Sequence, residues 1–290
     1  MPASPTLRAA LWMIGAILSF SSMAVAGRAV SFELDTFELL LYRSLIGVVI
    51  VVVVAKVAGT LPQINRRQLS THLIRNISHF IGQNLWYFAL TAIPLAQVFA
   101  LEFTSPLWVI ALSPLLLGER LTKLRVLAGI LGFIGVLIVA RPHADTLDWG
   151  LIAAALAAIG FAGTTIFTKR LTRSTTTTNI LFWLVAMQSL FGLICAGYDG
   201  NIQAPSAATG PWLILIGIGG LLAHFCITRA LTIAPASTVM PFDFARLPLI
   251  AIVGALFYNE PLDALVFLGA AVIFAANYLN IRASQNPDNN

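Results

Sequence analysis

The chain has 290 residues, of which 58% are hydrophobic and only 10% are charged, and its formal net charge is +5. A soluble domain carries roughly 25% charged residues, so this composition excludes an ordinary globular protein. Three stretches, 149–168, 174–198 and 264–281, contain no Asp, Glu, Lys or Arg. Each is long enough for an α-helix to cross a hydrocarbon core of ~30 Å, whereas a transmembrane barrel would show short alternating segments. The sequence therefore predicts an all-α polytopic membrane protein.

Apolar runs between charged or turn-rich breaks predict ten transmembrane helices, joined by loops too short to form a separate domain. In chain order, they cover residues 10–27, 37–57, 72–91, 95–117, 124–140, 148–168, 177–197, 211–231, 236–258 and 263–281. Arg8 precedes the first run and "AVA" at 24–26 resembles a cleavage site, so a signal peptide is the alternative for that span. The repeat described next favours a structural first span.

The sequence repeats itself at an offset of 141 residues. "ALTAIPLAQVFALEF" at 89–103 aligns without gaps with "ALTIAPASTVMPFDF" at 230–244, which pairs Glu102 with Asp243. Internal repeats of this kind indicate that one structural unit occurs twice. We expect two five-helix units, 1–145 and 146–290.

Five is an odd number, so the second unit is expected to enter the membrane inverted relative to the first. Basic residues fall in alternate loops, which the positive-inside rule places in the cytoplasm. For example, "NRRQ" at 65–68 aligns with "SAAT" at 206–209. With Arg8 and Arg282 on the same side, both termini are predicted to be cytoplasmic. Membrane orientation also accounts for the positive charge, so no nucleic-acid partner is expected.

Inverted repeats are typical of secondary transporters, because exchanging the conformations of the two units opens a central site alternately to each side. A duplicated but static membrane scaffold is one alternative. A membrane-embedded enzyme is another, with His79 and Glu102 as acid and base. The sequence contains no HExxH motif and no phosphate-binding loop, so it predicts neither an enzyme nor a metal or other cofactor.

Two segments also resemble a known family. "SPLLLGERLTKLRVLAGILGFIGVLIVARP" at 113–142 and "LFYNEPLDALVFLGAAVIFAANYL" at 256–279 are similar to the ends of the two repeats in EamA-type members of the drug/metabolite transporter superfamily. The resemblance covers essentially the whole chain and is greatest to YddG-type exporters of aromatic and other amino acids. It implies a bacterial inner-membrane exporter with a central cavity lined by spans 1, 3, 4, 6, 8 and 9. Small multidrug resistance relatives use a glutamate in their first helix, but 10–27 contains no acidic residue, so proton antiport by that route is not implied.

Polar side chains at membrane depth usually face a bundle interior, and they define the candidate site here. A zwitterionic amino acid needs hydrogen-bonding groups for its two charges and apolar or aromatic walls for its side chain. The expected substrate contacts are His79, Gln83, Trp86, Phe99, Glu102, Phe161, Thr164, His224 and Asp243. Interhelical hydrogen bonding is the alternative for the histidines and Gln83, and Asp243 could simply neutralise Arg246 one turn away.

The remaining carboxylates and the prolines receive separate interpretations. Glu102 has no basic neighbour in sequence, so it is expected to face the cavity, with protonation in an interhelical hydrogen bond as the alternative. Glu119 and Glu260 lie at span ends, where helix capping or a hinge contact is expected. Prolines interrupt the fourth and ninth spans and are candidate gate hinges, with static curvature as the alternative. They are Pro106, Pro114, Pro241 and Pro248.

Together these features predict a ten-helix inner-membrane transporter that exports amino acids, aromatic ones included, by alternating access. Nucleosides and cationic drugs are the alternative substrates. The expected partners are the small-molecule substrate and the lipid bilayer, and the chain is expected to work as a monomer.

Overall fold

The structure is a computed structural model that describes residues 4–30, 33–93, 95–140, 149–258 and 264–285. These ranges contain twelve α-helices and no β-strand. The helices are α1 Pro5–Val30, α2 Thr36–Val57, α3 Leu69–Ala92, α4 Leu95–Glu102, α5 Ser105–Leu117, α6 Lys123–Ala140, α7 Trp149–Thr172, α8 Thr177–Ala196, α9 Gly210–Ile233, α10 Ala236–Val239, α11 Arg246–Tyr258 and α12 Ala264–Gln285. Two 3₁₀ segments, Leu61–Gln63 and Met240–Ala245, complete the regular structure of the described ranges.

The twelve described helices account for the ten predicted spans. Eight spans are single helices, the fourth is divided into α4 and α5, and the ninth runs through α10, the 3₁₀ segment and α11. Within the described ranges, α1, α2, α7, α8 and α9 are long and apolar enough to cross a membrane. α3 equals α7 in length but is more polar, because it contains residues such as His72, Arg75 and Asn76. These polar side chains are buried inside the bundle.

The start of α2 shows how the sequence sets a helix end. The backbone N–H of Glu38 donates to the side chain of Asp35 at 2.8 Å, and the Glu38 carboxylate accepts from the Asp35 N–H at 3.1 Å. This reciprocal capping box satisfies two backbone donors that the first turn leaves unpaired. It therefore fixes the start of α2 at Thr36.

Helices of one repeat pack mainly against helices of the other. The most extensive contacts join α1 to α9, α3 to α7, α6 to α12 and α2 to α8. Under the 141-residue offset, α1 corresponds to α7 and α9 to α3, so the first two contacts are equivalent. The other two each pair a helix with its own copy. The architecture of ten spans in two inverted repeats is therefore confirmed, whereas the boundary predicted at 145 and 146 lies outside the described residues.

The crossing of α3 and α7 brings the two backbones into direct contact. A Cβ added at Gly160 would lie 2.8 Å from the carbonyl oxygen of Ser78 and 2.9 Å from the Cα of Gly82. Such distances are below any real contact, so only glycine fits. Small residues allow this close approach between membrane helices, and here they join the two repeats at the level of the cavity.

Three of the four candidate hinge prolines lie where the fourth and ninth spans are interrupted. Pro106 is in the first turn of α5, Pro241 is the second residue of the 3₁₀ segment and Pro248 is in the first turn of α11. Pro114 differs, because it lies inside α5 and the helix continues through it. The interruptions agree with the sequence pattern, and hinge motion at these prolines stays a prediction.

Candidate functional site

A cavity lies between the α1–α9 pair and the α3–α7 pair, with the interrupted fourth and ninth spans beside it. Its described wall comes from spans 1, 3, 4, 6, 8 and 9, the set that the family resemblance implied. The open space is only about 80 Å³, whereas ligand pockets usually measure roughly 300–1,000 Å³. The cavity in this structure is therefore smaller than those that usually hold a ligand.

Eight of the nine predicted site residues line this cavity. They are His79, Gln83, Trp86, Glu102, Phe161, Thr164, His224 and Asp243. The exception is Phe99, which is absent from the described wall and packs behind Trp86 with ring centroids 6.1 Å apart. Its predicted direct contact with substrate stays a prediction.

Arg246 is the centre of a buried ionic cluster. Its Nη2 donates to Oε1 of Glu102 and to Oδ2 of Asp243, the latter at 3.0 Å. The indole N–H of Trp86 donates to the other oxygen of Glu102 at 2.6 Å. Glu102 has no basic neighbour in sequence, but the fold gives it a basic partner. This partner belongs to the opposite repeat, so the residues next to Glu102 in sequence do not indicate it.

The same guanidinium is enclosed by aromatic rings. The Cζ of Arg246 lies 5.2 Å from the ring centroid of Phe20 and 5.0 Å from that of Phe103. Both distances are within the range of cation–π attraction. Two carboxylates and two rings therefore hold one cation at the contact between α1, α4 and α11.

His79 and His224 meet edge to face across the cavity, with ring centroids 4.6 Å apart. Both are buried, and among the described residues neither nitrogen of His79 has a hydrogen-bond partner. The same holds for Nε2 of His224, Oε1 of Gln83 and Oγ of Ser105. Each unpaired buried group costs about 1–3 kcal/mol. So many around one cavity indicate a site whose partners are supplied by water or ligand.

Two further buried arginines were not singled out in the sequence. Arg75 donates from Nε to Oγ1 of Thr168 at 2.6 Å and from Nη1 to Oδ1 of Asn76 at 3.1 Å. Arg43 approaches the sulfur of Met23 at 4.0 Å. Within the described ranges neither forms an ion pair, although Thr168 and Met23 both line the cavity. Their position inside predicted spans could have identified them, since an arginine within a membrane span rarely faces lipid.

Polar contacts join the two repeats at one end of the bundle near α5 and α10. Glu119 accepts hydrogen bonds from the backbone N–H groups of Ala236 and Ser237, at 2.9 and 3.1 Å, and from the Ser237 hydroxyl at 2.8 Å. At the same end, within the second repeat, the ammonium of Lys169 donates to the carbonyl oxygens of Leu231 and Ala234 at the end of α9. The capping role expected of Glu119 is confirmed, whereas Glu260 lies outside the described residues.

At the other end, Glu33 in the turn after α1 reaches the loop before α9. Its carboxylate accepts from the backbone N–H of Ser206 at 2.7 Å, from the Ser206 hydroxyl at 2.9 Å and from the hydroxyl of Thr209. These hydrogen bonds lower the pKa of Glu33 from its ordinary value, and the one from Thr209 has the largest effect. Both ends of the bundle are thus fastened by carboxylates of the first repeat to backbone of the second.

Comparison with known proteins decides the family. Residues 7–141 and 148–282 each match the EamA-like transporter family. The chain belongs to this family. Its members are membrane transporters, so the chain is a transporter rather than an enzyme, and the two matches coincide with the two repeats.

Individual relatives carry more specific names. A riboflavin transporter from Vibrio cholerae is 34% identical over 92% of this chain and 90% of its own length. An S-adenosylmethionine uptake transporter from Rickettsia bellii is 23% identical over 91% of this chain and 90% of its own. Neither name supports the closer resemblance to amino-acid exporters expected from the sequence. One solved crystal structure aligns over 96% of this chain and 97% of that chain with a TM-score of 0.80, and its 18% identity shows the fold alone.

Proposed function

We propose that the chain is a transporter of the bacterial inner membrane that moves a planar heteroaromatic metabolite of the riboflavin type by alternating access. The basic loops of the first repeat and the basic residues near both ends support cytoplasmic termini. The observation that carries the substrate proposal is a cavity in which aromatic walls surround unpaired hydrogen-bonding groups. The relative from Vibrio cholerae, named a riboflavin transporter, supports the same class.

The chemistry of an isoalloxazine suits this cavity. Its flat ring can stack on aromatic side chains, and Phe20, Trp86 and Phe161 are available in the wall. Its polar edges and its polyol tail need donors and acceptors, and the two ring nitrogens of His79 and Oε1 of Gln83 have no competing partner among the described residues. Threonine hydroxyls of α7 line the same cavity and add to this set.

Transport of a ligand of this size requires the small cavity to widen. The α1–α9 pair and the α3–α7 pair lie on opposite sides of it and correspond under the repeat. We expect these two pairs to separate first at one end and then at the other, while the end contacts at Glu119 and Glu33 break in turn. The interruptions of the fourth and ninth spans provide the places where each half can bend.

Amino-acid export is the second candidate, and one observation favours it. Asp243 and Arg246 stand side by side in the wall and would suit the ammonium and the carboxylate of a zwitterion. The three predicted site groups His79, Glu102 and His224 are compatible with either substrate.

Counterflow in proteoliposomes tests the proposal. Vesicles preloaded with unlabelled riboflavin should accumulate labelled riboflavin faster than vesicles without protein. Parallel vesicles loaded with tryptophan, adenosine or a quaternary ammonium drug give the comparison. Exchange of tryptophan without exchange of riboflavin would replace the first candidate by the second.

A further inference from the structure

We infer that Asp243 and Arg246 together recognise the edge of a ring in which an N–H lies next to a carbonyl group, as in the imide of a flavin. This inference rests on the proposed function and assigns one part of the substrate to one part of the cavity. Both residues line the cavity, and both are buried. They lie on the ninth span, at the junction of the 3₁₀ segment and α11.

Asp243 and Arg246 each keep a hydrogen-bonding atom that the ionic cluster does not use. A guanidinium usually meets a carboxylate through two parallel N–H···O bonds. Here a single nitrogen, Nη2 of Arg246, serves both Asp243 and Glu102. Oδ1 of Asp243 and Nε of Arg246 consequently have no hydrogen-bond partner in the described part of the chain, although both atoms are buried. One free acceptor and one free donor remain on residues one helical turn apart.

The signs of these groups restrict the ligand chemistry. A ligand that is only an anion would meet the carboxylates of Asp243 and Glu102, and one that is only a cation would meet the guanidinium of Arg246. A neutral edge with adjacent donor and acceptor satisfies both at once, since its N–H can donate to Oδ1 and its carbonyl can accept from the guanidinium. Burial makes such pairing strongly selective, because an analogue that lacks the N–H leaves the carboxylate oxygen unpaired.

The side chains around Asp243 and Arg246 suit a flat ring of the ligand better than a flexible aliphatic part. Phe20 lies beneath the guanidinium and also meets the ring of His224 edge to face, with centroids 5.8 Å apart. A flat ligand whose edge reaches Asp243 would therefore have an aromatic wall beside it. Glu102 has a different role, because its two oxygens are already used by Arg246 and Trp86. It is a positioning residue that holds the guanidinium in place.

Binding of two flavins to the purified full-length chain in detergent tests this assignment. The probes are riboflavin and riboflavin methylated at its imide nitrogen, each followed by quenching of its own fluorescence. We expect the methylated compound to bind at least about tenfold more weakly to the natural chain, because methylation removes the N–H that donates to Asp243. In Asp243→Ala the two compounds should bind alike, whereas His72→Ala, which removes a buried side chain of α3 outside the cavity wall, should keep the difference.

Each outcome has a separate meaning. Equal binding of the two flavins to the natural chain would overturn the assignment and leave flavin transport standing. Binding of neither flavin, together with binding of tryptophan, would overturn the proposed function itself. If Asp243→Ala does not fold, the comparison of the two flavins on the natural chain still decides the question.

Discussion

Glu102 and Arg246 form an ion pair that joins the two repeats at the centre of the bundle. Asp243, which occupies the position equivalent to Glu102, binds the same nitrogen of the guanidinium. The duplication therefore placed two carboxylates around a single cation that only the second repeat carries, since the position equivalent to Arg246 is Ser105. The symmetric sequence has produced an asymmetric site.

Loss of this cation should destabilise the fold. In Arg246→Met two buried carboxylates lose their common partner, and breaking such a pair costs about 3–5 kcal/mol. Thermal unfolding of the purified protein in detergent should show a clearly lowered midpoint. Arg229→Met is the matched control, because Arg229 is an exposed arginine of α9. Equal midpoints for the two variants would mean that the cluster does not stabilise the protein.

His79 should matter for transport rather than for folding. His79→Ala removes two buried nitrogens that have no partner among the described protein groups, from a residue that lines the cavity. If they bind substrate, counterflow should fall about tenfold, the effect of losing one good hydrogen bond. The yield of folded protein should stay the same. His72→Ala is the control on the same helix, and an equal loss of transport in both variants would argue against a substrate contact.

The α3–α7 crossing should not tolerate a methyl group. Gly160→Ala places a Cβ against the backbone of Ser78 and Gly82, and neither can move aside without separating the helices. Overpacking of this kind costs about 1–3 kcal/mol. For comparison, a Cβ at Gly210 would meet nothing within 4 Å, so Gly210→Ala should unfold at the temperature of the natural chain. A Gly160→Ala protein that is as stable and as active would show that the crossing is looser than the structure indicates.

Acid should weaken the contact between the turn after α1 and the loop before α9. The pKa of Glu33 lies below its ordinary value of 4.5 because of the hydrogen bonds from Thr209 and Ser206. A lowered folded-state pKa means that the contact stabilises the structure above the unfolded value and is lost as the pH falls through the folded one. Hydrogen exchange at the Ser206 amide should therefore be protected near neutral pH and lose that protection in acid.

Glu33→Gln provides the control for this measurement. The amide keeps an acceptor but cannot titrate, so protection at Ser206 should be weaker and nearly independent of pH once intrinsic exchange rates are corrected. A natural chain that shows the same pH profile as the variant would remove Glu33 from this contact.

The sequence predicted the span order and the duplicated architecture because both depend on local patterns. Runs of apolar residues report a helix that crosses a membrane, and the alignment of 89–103 with 230–244 reports the repeat directly. Even the interruption of the fourth span was indicated, since Pro106 lies beside the break between α4 and α5. These features need no knowledge of which helices are neighbours.

The composition of the site was predicted less completely, because it depends on contacts between distant helices. Side chains such as Gln83 and His224 were found through their polarity at membrane depth, which requires no partner. The bond from Arg246 to Glu102 spans 144 residues of chain, and no spacing rule connects them. Phe99 shows a different difficulty, since an aromatic residue near the site can equally well form the layer behind the wall, and Phe99 packs against Trp86.

The packing of α1 on α9 has a consequence for how the protein is made. α1 begins at Pro5, but the helix that covers it begins at Gly210. At synthesis rates of roughly 5–20 residues per second, the ribosome needs about 10–40 s to produce the intervening chain. During that interval the surface of α1 that carries Met13 and Ala16, buried in the finished protein, must be held by lipid or by the insertion machinery. α1 can therefore reach its final packing only after most of the second repeat has been synthesised.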